Sequence, residues 1–240
     1  KARWVQRTIK NLIRCHSWEG AMQRILDVIF AGLGMLFLSP LLLPIAFILK
    51  ATGEGEVFYI QTRIGKNGSL FGLLKFATML KDSPNIGSGE ITIHNDPRVL
   101  PLGKFLRKSK INELPQLWNI LIGDMSVVGP RPMVPNTYAN YPAEAQEILN
   151  TVRPGLTGIG SIIFRDEERL LDGRDDPIGF YNENITPYKS DLEIWFVQNN
   201  SLWLYIKAIF VTAWVVIFPA SKIADSAFKG IPGLPESLKI

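Results

Sequence analysis

At 240 residues with 47% hydrophobic side chains, the chain has ample material for one large core or two small ones. Its formal charge of +4 at pH 7 suits an acidic partner, whether nucleic acid, an anionic membrane surface or a phosphorylated substrate. A single cysteine, Cys15, excludes an intrachain disulfide, and with only His16 and His94 beside it there is no soft-ligand set for a structural zinc, so any metal is expected to be oxygen-bound.

Residues 1–21 carry Trp4, Val5, Ile9, Leu12, Ile13 and Trp18 among five cations and read as a helix lying at a membrane interface. The next segment, 22–50, contains an uncharged run from Val28 to Leu49, long enough as a helix to cross a bilayer core of roughly 30 Å. Ser39-Pro40 stands at the centre of that run and Pro44 one turn later, where lipid cannot replace a lost backbone hydrogen bond. Basic residues also lie on both sides, Arg14 and Arg24 before it and Lys50, Arg63 and Lys66 after it, so charge asymmetry sets no crossing direction. These features predict a re-entrant helix-break-helix that enters one leaflet and returns, with the Ser39 hydroxyl satisfying a carbonyl freed by the proline. A proline-kinked true span is the alternative.

Residues 51–202 mix charges, prolines and short apolar runs, which predicts a compact cytosolic unit, mainly α. Val57–Ile60 and Leu73–Phe76 read as the strands of a short β-hairpin around Gly65-Lys66-Asn67-Gly68. No Walker-type phosphate loop or dinucleotide fingerprint is present, which lowers kinase and dehydrogenase readings. In 203–240, Lys207 leaves only Ala208–Phe218 uninterrupted, too short to span, so this stretch fits an interfacial helix or a core helix equally, followed by an irregular tail.

The most informative segment is KFLRKSKINELPQLWNILIGDMSVVGPRP, Lys104 to Pro132. An acid flanked by Arg107, Lys108 and Lys110 on one side and Arg131 on the other can hold a metal or attack an electrophile while the cations neutralise phosphoryl oxygens. Arg131, between two prolines, has little backbone freedom, so its guanidinium can be aimed at a phosphate.

Together with Ser39-Pro40, the Gln61-x-Arg63-x-Gly65-x-x-Gly68 element, Lys75-Phe76 with Thr78-Met79, Asn95-Asp96-Pro97-Arg98, Glu113-Leu114-Pro115-Gln116, Gly123-Asp124-Met125-Ser126 and Arg153 to Gly158, this segment resembles the bacterial sugar transferase family, the monotopic phosphoglycosyl transferases. The likeness covers roughly residues 22–205. It implies transfer of a phosphosugar from a UDP-sugar to polyprenyl (undecaprenyl) phosphate with release of UMP, as the first membrane step of envelope glycoconjugate assembly. It also implies a Mg²⁺ cofactor and a place on the cytoplasmic face of the bacterial inner membrane.

Three departures stand out. Asn112 occupies the position that the resemblance casts as the covalent nucleophile, normally Asp, and an amide is a poor nucleophile and a weaker magnesium ligand. Ala77 replaces the usual Arg, and Glu193 replaces an Asp. For Asn112 three explanations stay open: a substitution that traps an inactive form, a subgroup in which Glu113 carries the chemistry, and a non-catalytic relative.

The candidate site is therefore Asn112 and Glu113 as catalytic positions, Arg131, Arg107 and Lys75 as phosphate contacts, and Glu113, Asn112 and Asp124 around the metal. Ser39 and Pro40 mark the membrane break. Asp124 caps a turn equally well, and His94 reads as a surface residue. A second reading is a non-catalytic membrane scaffold that binds UDP-sugar or lipid phosphate and recruits glycosyltransferases. Nucleic-acid binding is disfavoured because the cations cluster around the apolar segments. A homodimer is compatible with apolar surface at Trp203 and Trp214.

Overall fold

The computed structural model describes residues 17–238 other than 53, 86–95, 166–169, 172, 173, 175, 219 and 222. Residues 1–16 of the expected interfacial helix, His94 and the Asp166–Arg169 run lie outside the described residues.

Helix α1, Ser17–Ala51, is long and apolar enough to cross a membrane. It passes through Ser39, Pro40 and Pro44 as one helical element, where the sequence predicts a break. Packing of both halves against the rest of the chain holds the helix together, and the side chain before the proline relieves the local loss. Pro40 cannot donate to the Leu36 carbonyl one turn back, and the Ser39 hydroxyl donates to that same oxygen at 2.8 Å.

The helix touches the rest of the chain along both of its halves. Ala31 packs with Leu117, Ile120 and Met125, whereas Ile45 and Leu49 pack with Phe76 and Leu106. Arg24 donates to the Ile120 and Leu121 carbonyls. The buried Asp27 carboxylate accepts from the Ser126 hydroxyl, the Val127 N–H and the Tyr205 hydroxyl at 2.9, 2.7 and 2.8 Å. Leu36, Phe37, Leu43 and Phe47 on the same helix are exposed, so large apolar side chains remain uncovered beside the packed ones.

Strands β1, Phe58–Ile64, and β2, Leu70–Phe76, form the expected antiparallel hairpin, in register from Phe58 with Phe76 to Ile64 with Leu70. Its turn uses left-handed backbone at Asn67 and Gly68, which asparagine and glycine adopt at least cost. Helix α2, Pro101–Lys108, then gives way to a left-handed Lys110, which starts the single turn Ile111–Glu113. Helix α3, Gln116–Ile122, follows and ends at Gly123.

A second sheet pairs β3, Ser126–Val128, in parallel with β4, Gly155–Thr157. Helices α4, Pro135–Ala139, and α5, Ala143–Leu149, connect them. After α6, Ile159–Ile163, comes α7, Pro177–Phe180, which continues through a π turn, Tyr181–Ile185, into α8, Thr186–Gln198.

Helix α9, Leu202–Ile217, is a core helix along one face and leaves apolar side chains exposed on the other. Tyr205, Ala208 and Val211 enter the main core with Ile159, Leu192 and Phe196, while Trp203, Phe210 and Ile217 stand exposed. The tail, expected to be irregular, instead carries α10, Ile223–Ala227, and a turn at Glu236–Leu238. Phe228 and Leu238 are buried in the core, and the Tyr188 hydroxyl donates to the Pro232 carbonyl at 2.9 Å. Apolar residues spaced between glycines and prolines are enough to seat it.

Candidate active site

Three segments converge on one charged hollow of about 250 Å³, lined by Arg63, Lys75, Glu113, Gln116 and Arg131 among others. Lys75 arrives from β2, whose position against α3 is fixed by Asn119. The Asn119 amide donates to the Gly72 carbonyl at 2.8 Å and accepts from the Leu74 N–H at 3.0 Å. Glu113 arrives from the turn after Lys110.

Arg131 is set by backbone rather than by its own side chain. The Gly129 N–H donates to the Thr157 carbonyl and the Gly155 N–H to the Pro130 carbonyl, at 2.9 and 2.8 Å, so the Gly-Pro-Arg-Pro and Arg-Pro-Gly-Leu-Thr-Gly motifs are two halves of one support. A Cβ on Gly155 would stand 2.1 Å from the Gly129 nitrogen, which is why a glycine is needed there.

The Lys75 ammonium lies 3.6 Å from the Glu113 carboxylate, and an Arg131 guanidinium nitrogen lies 4.0 Å from the same oxygen. Burial on its own would raise the Glu113 pKa, but Lys75, Arg131 and Lys110 outweigh it and hold the group down at about 2. Glu113 is therefore an anion at every physiological pH. Lys75 is pulled down to about 8, by burial first, partly offset by Glu113, with Arg131, Arg63 and Arg107 adding to the depression. The result is a desolvated cation that titrates close to the physiological range.

The other expected residues take different places. Asn112, next to Glu113 in the same turn, is buried and is not among the residues that line the hollow; its side-chain oxygen has no hydrogen-bond partner. Arg107 directs a guanidinium nitrogen to the Met79 sulfur at 3.6 Å and acts on Lys75 through its field. Asp124 follows the C-terminal end of α3, does not line the hollow, and accepts from the Asn119 amide at 3.3 Å. The structure thus brings Lys75, Glu113 and Arg131 together and leaves Asp124 apart. Asp96 and Arg98 form a buried pair at 2.6 Å, a structural role for that motif.

Three contributors were not singled out by the sequence as site residues. Arg63 lines the hollow and donates to the Pro132 carbonyl at 2.9 Å, bracing the turn that carries Arg131. Gln116 lines it from the first turn of α3. Glu193, which the sequence marks only as a mild departure, accepts from the Arg131 N–H at 3.3 Å, with its second oxygen buried and unpartnered. Burial raises its pKa to about 7 against the opposing Arg131 N–H and the charges of Lys189 and Arg131. Only the acid's place before the Phe196-Val197 element hinted at it.

The donor set for a divalent cation is small. No group of three acidic, histidine or cysteine side chains able to hold a metal is present among the described residues. Glu113 and the unpartnered Asn112 oxygen are hard donors, and Mg²⁺ characteristically takes one or two protein oxygens and completes its shell with substrate phosphates and water, so the residues fit that ion.

A model of bacterial sugar transferases matches residues 18–219. The chain belongs to the bacterial sugar transferase family. The undecaprenyl-phosphate glucose phosphotransferase of Komagataeibacter xylinus is 35% identical over 200 residues, covering 81% of this chain and 36% of the relative. The UDP-glucose:undecaprenyl-phosphate glucose-1-phosphate transferase of Klebsiella pneumoniae is 34% identical over 193 residues, covering 79% and 39%. The exopolysaccharide production protein ExoY of Rhizobium meliloti is 40% identical over 162 residues, covering 62% and 71%. This bacterial sugar transferase thus spans about two fifths of the length of the first two relatives.

Proposed function

We propose that this chain transfers a phosphosugar from a UDP-sugar to undecaprenyl phosphate, releasing UMP, with Glu113 as the reacting carboxylate. The observation that carries the reading is the Lys75–Glu113–Arg131 cluster: among the described residues, Glu113 is the one carboxylate lining the charged hollow, and two cations stand beside it. The relatives' names supply the substrates.

In this reading a Glu113 oxygen attacks the β-phosphorus, the bond to the bridging oxygen breaks, and UMP leaves with that oxygen's electron pair. The lipid phosphate oxygen then attacks the same phosphorus and frees the Glu113 carboxylate. Splitting the transfer keeps two anionic substrates from meeting in one site. Lys75 and Arg131 neutralise the equatorial phosphoryl oxygens, and Arg63, Glu193 and Asn119 hold them in position. Mg²⁺, held by Glu113 and the Asn112 oxygen, would offset the diphosphate charge.

The membrane reading belongs to the same proposal. Helix α1, continuous but bent at Pro40 and Pro44 in this reading, enters one leaflet and returns at the cytoplasmic face of the inner membrane. Support comes from its two halves, which both pack on the same folded unit, a contact that a helix leaving through the far side of a bilayer would forfeit at one end.

The test is UMP release in nanodiscs containing undecaprenyl phosphate, with Mg²⁺ and a panel of UDP-sugars. This chain is expected to turn over and Glu113→Gln to lose activity by at least 10³-fold, the scale of a lost nucleophile. A silent parent beside an active Asn112→Asp would move the nucleophile to residue 112. Silence from all three would leave the scaffold reading.

A further inference from the structure

Helix α2 rests on α1 where α1 ends. Leu106 packs against Ile45 and Leu49 in the last two turns of α1. On the same side, Gly103 lies so close to Thr78 that an added Cβ would stand 2.2 Å from the Thr78 carbonyl oxygen. These two contacts fix the inner face of α2. At about 100° per residue, Lys104 and Lys108 then stand together on the opposite face, one turn apart, with Phe105 on its shoulder. All three are exposed, Phe105 by 60%. Arg107 turns the other way, toward Met79 and the charged hollow.

The two lysines lack the acids that a solvated charged face ordinarily carries. No acidic residue lies on α2, and neither Lys104 nor Lys108 has an ion-pair partner among the described residues. Glu54 and Glu56, which follow α1, are engaged by the Lys81 N–H and the Lys81 ammonium instead. An aromatic ring exposed beside two unpaired cations suits a lipid boundary, where the ring sinks below the headgroups and the ammonium groups stay level with them.

We infer that this face of α2 docks on anionic phospholipid headgroups, with Phe105 entering the bilayer boundary and Lys104 and Lys108 meeting the phosphates around it. The inference rests on the membrane reading of α1. Continuity favours it, because the exposed Leu43 and Phe47 belong to the same half of α1 that α2 packs against. Charge selects the occupant: both charged side chains of the face are positive, so the same face of a second copy would repel it. Through Ser109 and Lys110 the helix leads into the Ile111–Glu113 turn, so docking holds Glu113 near the level at which lipid phosphates lie.

The test uses an environment-sensitive dye on Ser109→Cys, one turn after Phe105, in the full chain carrying Cys15→Ser. The chain is placed in nanodiscs of phosphatidylcholine alone or with about one third phosphatidylglycerol, without undecaprenyl phosphate. Each lysine near an anionic surface is worth about fivefold, so the docked fraction is expected to shift about 25-fold in the anionic discs. The dye then emits further to the blue and is less quenched by acrylamide. Salt at about 1 M, which cuts the screening length to about 3 Å, is expected to abolish the difference, as is the Lys104→Gln/Lys108→Gln double variant. A second dye on Phe47→Cys reports α1 and is expected to sense apolar surroundings in both lipids. If it does, and the dye at 109 ignores lipid charge or the double variant keeps the difference, the docking face alone is overturned. Watery surroundings at position 47 in both lipids would overturn the membrane reading and the docking face with it. A difference that follows the number of chains per disc, or that needs added undecaprenyl phosphate, would overturn the assignment in favour of a second copy or the acceptor lipid.

Discussion

The Glu193 carboxylate accepts the backbone N–H of Arg131 at 3.3 Å, although 62 positions separate them in sequence. A buried acid on α8 thereby supports the backbone of a residue that lines the charged hollow. Its other oxygen has no partner, so ionising the group is expensive, which is why burial lifts its pKa from 4.5 to about 7.

That shift has a definite sign. The folded chain holds the Glu193 proton up to about pH 7 whereas the unfolded chain releases it near 4.5, so stability falls as pH rises between those values. Glu193→Gln keeps an acceptor for the Arg131 N–H and cannot ionise. Thermal melting in detergent should find it more stable than the parent above pH 7, by about 2–3 kcal/mol. The difference should vanish below about pH 4.5.

Lys75 predicts an alkaline limit on activity. As pH rises through about 8 the ammonium loses its proton, and the hollow loses a positive charge beside Glu113. In the pH profile of kcat/KM, which reports the free enzyme, the parent should decline on the alkaline side with an apparent pKa near 8. Lys75→Arg should remove that limb, because a guanidinium stays charged throughout the range.

Asp27 ties α1 to β3 and α9 through three donors on one carboxylate oxygen. Asp27→Ala strands the Ser126 and Tyr205 hydroxyls and the Val127 N–H together in the interior. It should destabilise the chain by about 3–5 kcal/mol, visible as a large drop in melting temperature. Ser126→Ala, which removes one donor and leaves the acceptor with two, should cost about 1 kcal/mol.

The path of α1 can be mapped with single cysteines at Gly20 and Thr52 in a Cys15→Ser background. A membrane-impermeant maleimide should label both from the cytoplasmic side of sealed vesicles and neither from the other. Labelling from opposite sides would make α1 a true span.

Gly155→Ala tests the support of the turn that carries Arg131. The new methyl meets the Gly129 backbone, which has no side chain to move aside. The variant should melt at a lower temperature and lose activity by at least tenfold, because β3, β4 and Arg131 share that contact.

Local chemistry was legible from residue order alone. The Gly65-to-Gly68 turn between β-rich runs specifies the hairpin, because only a few residue types reach its left-handed backbone. The cation-rich surroundings of Glu113 and the paired prolines around Arg131 mark a charged site, since charge and backbone stiffness are properties of the residues themselves. The ordered motifs also point to the family.

Tertiary structure decided which of those residues share a space. Asp124 and Glu113 are close in sequence, yet the rigid rise of α3 holds them apart, whereas Lys75, Arg131 and Glu193 come together from distant segments. Residue order places Ser39 where it can rescue the Leu36 carbonyl at Pro40, but whether the helix then breaks depends on packing along its whole length. Burial is a further property that sequence cannot supply. Desolvation sets the proton on Glu193 and weakens the one on Lys75, and it exists only once distant segments have excluded water around each group.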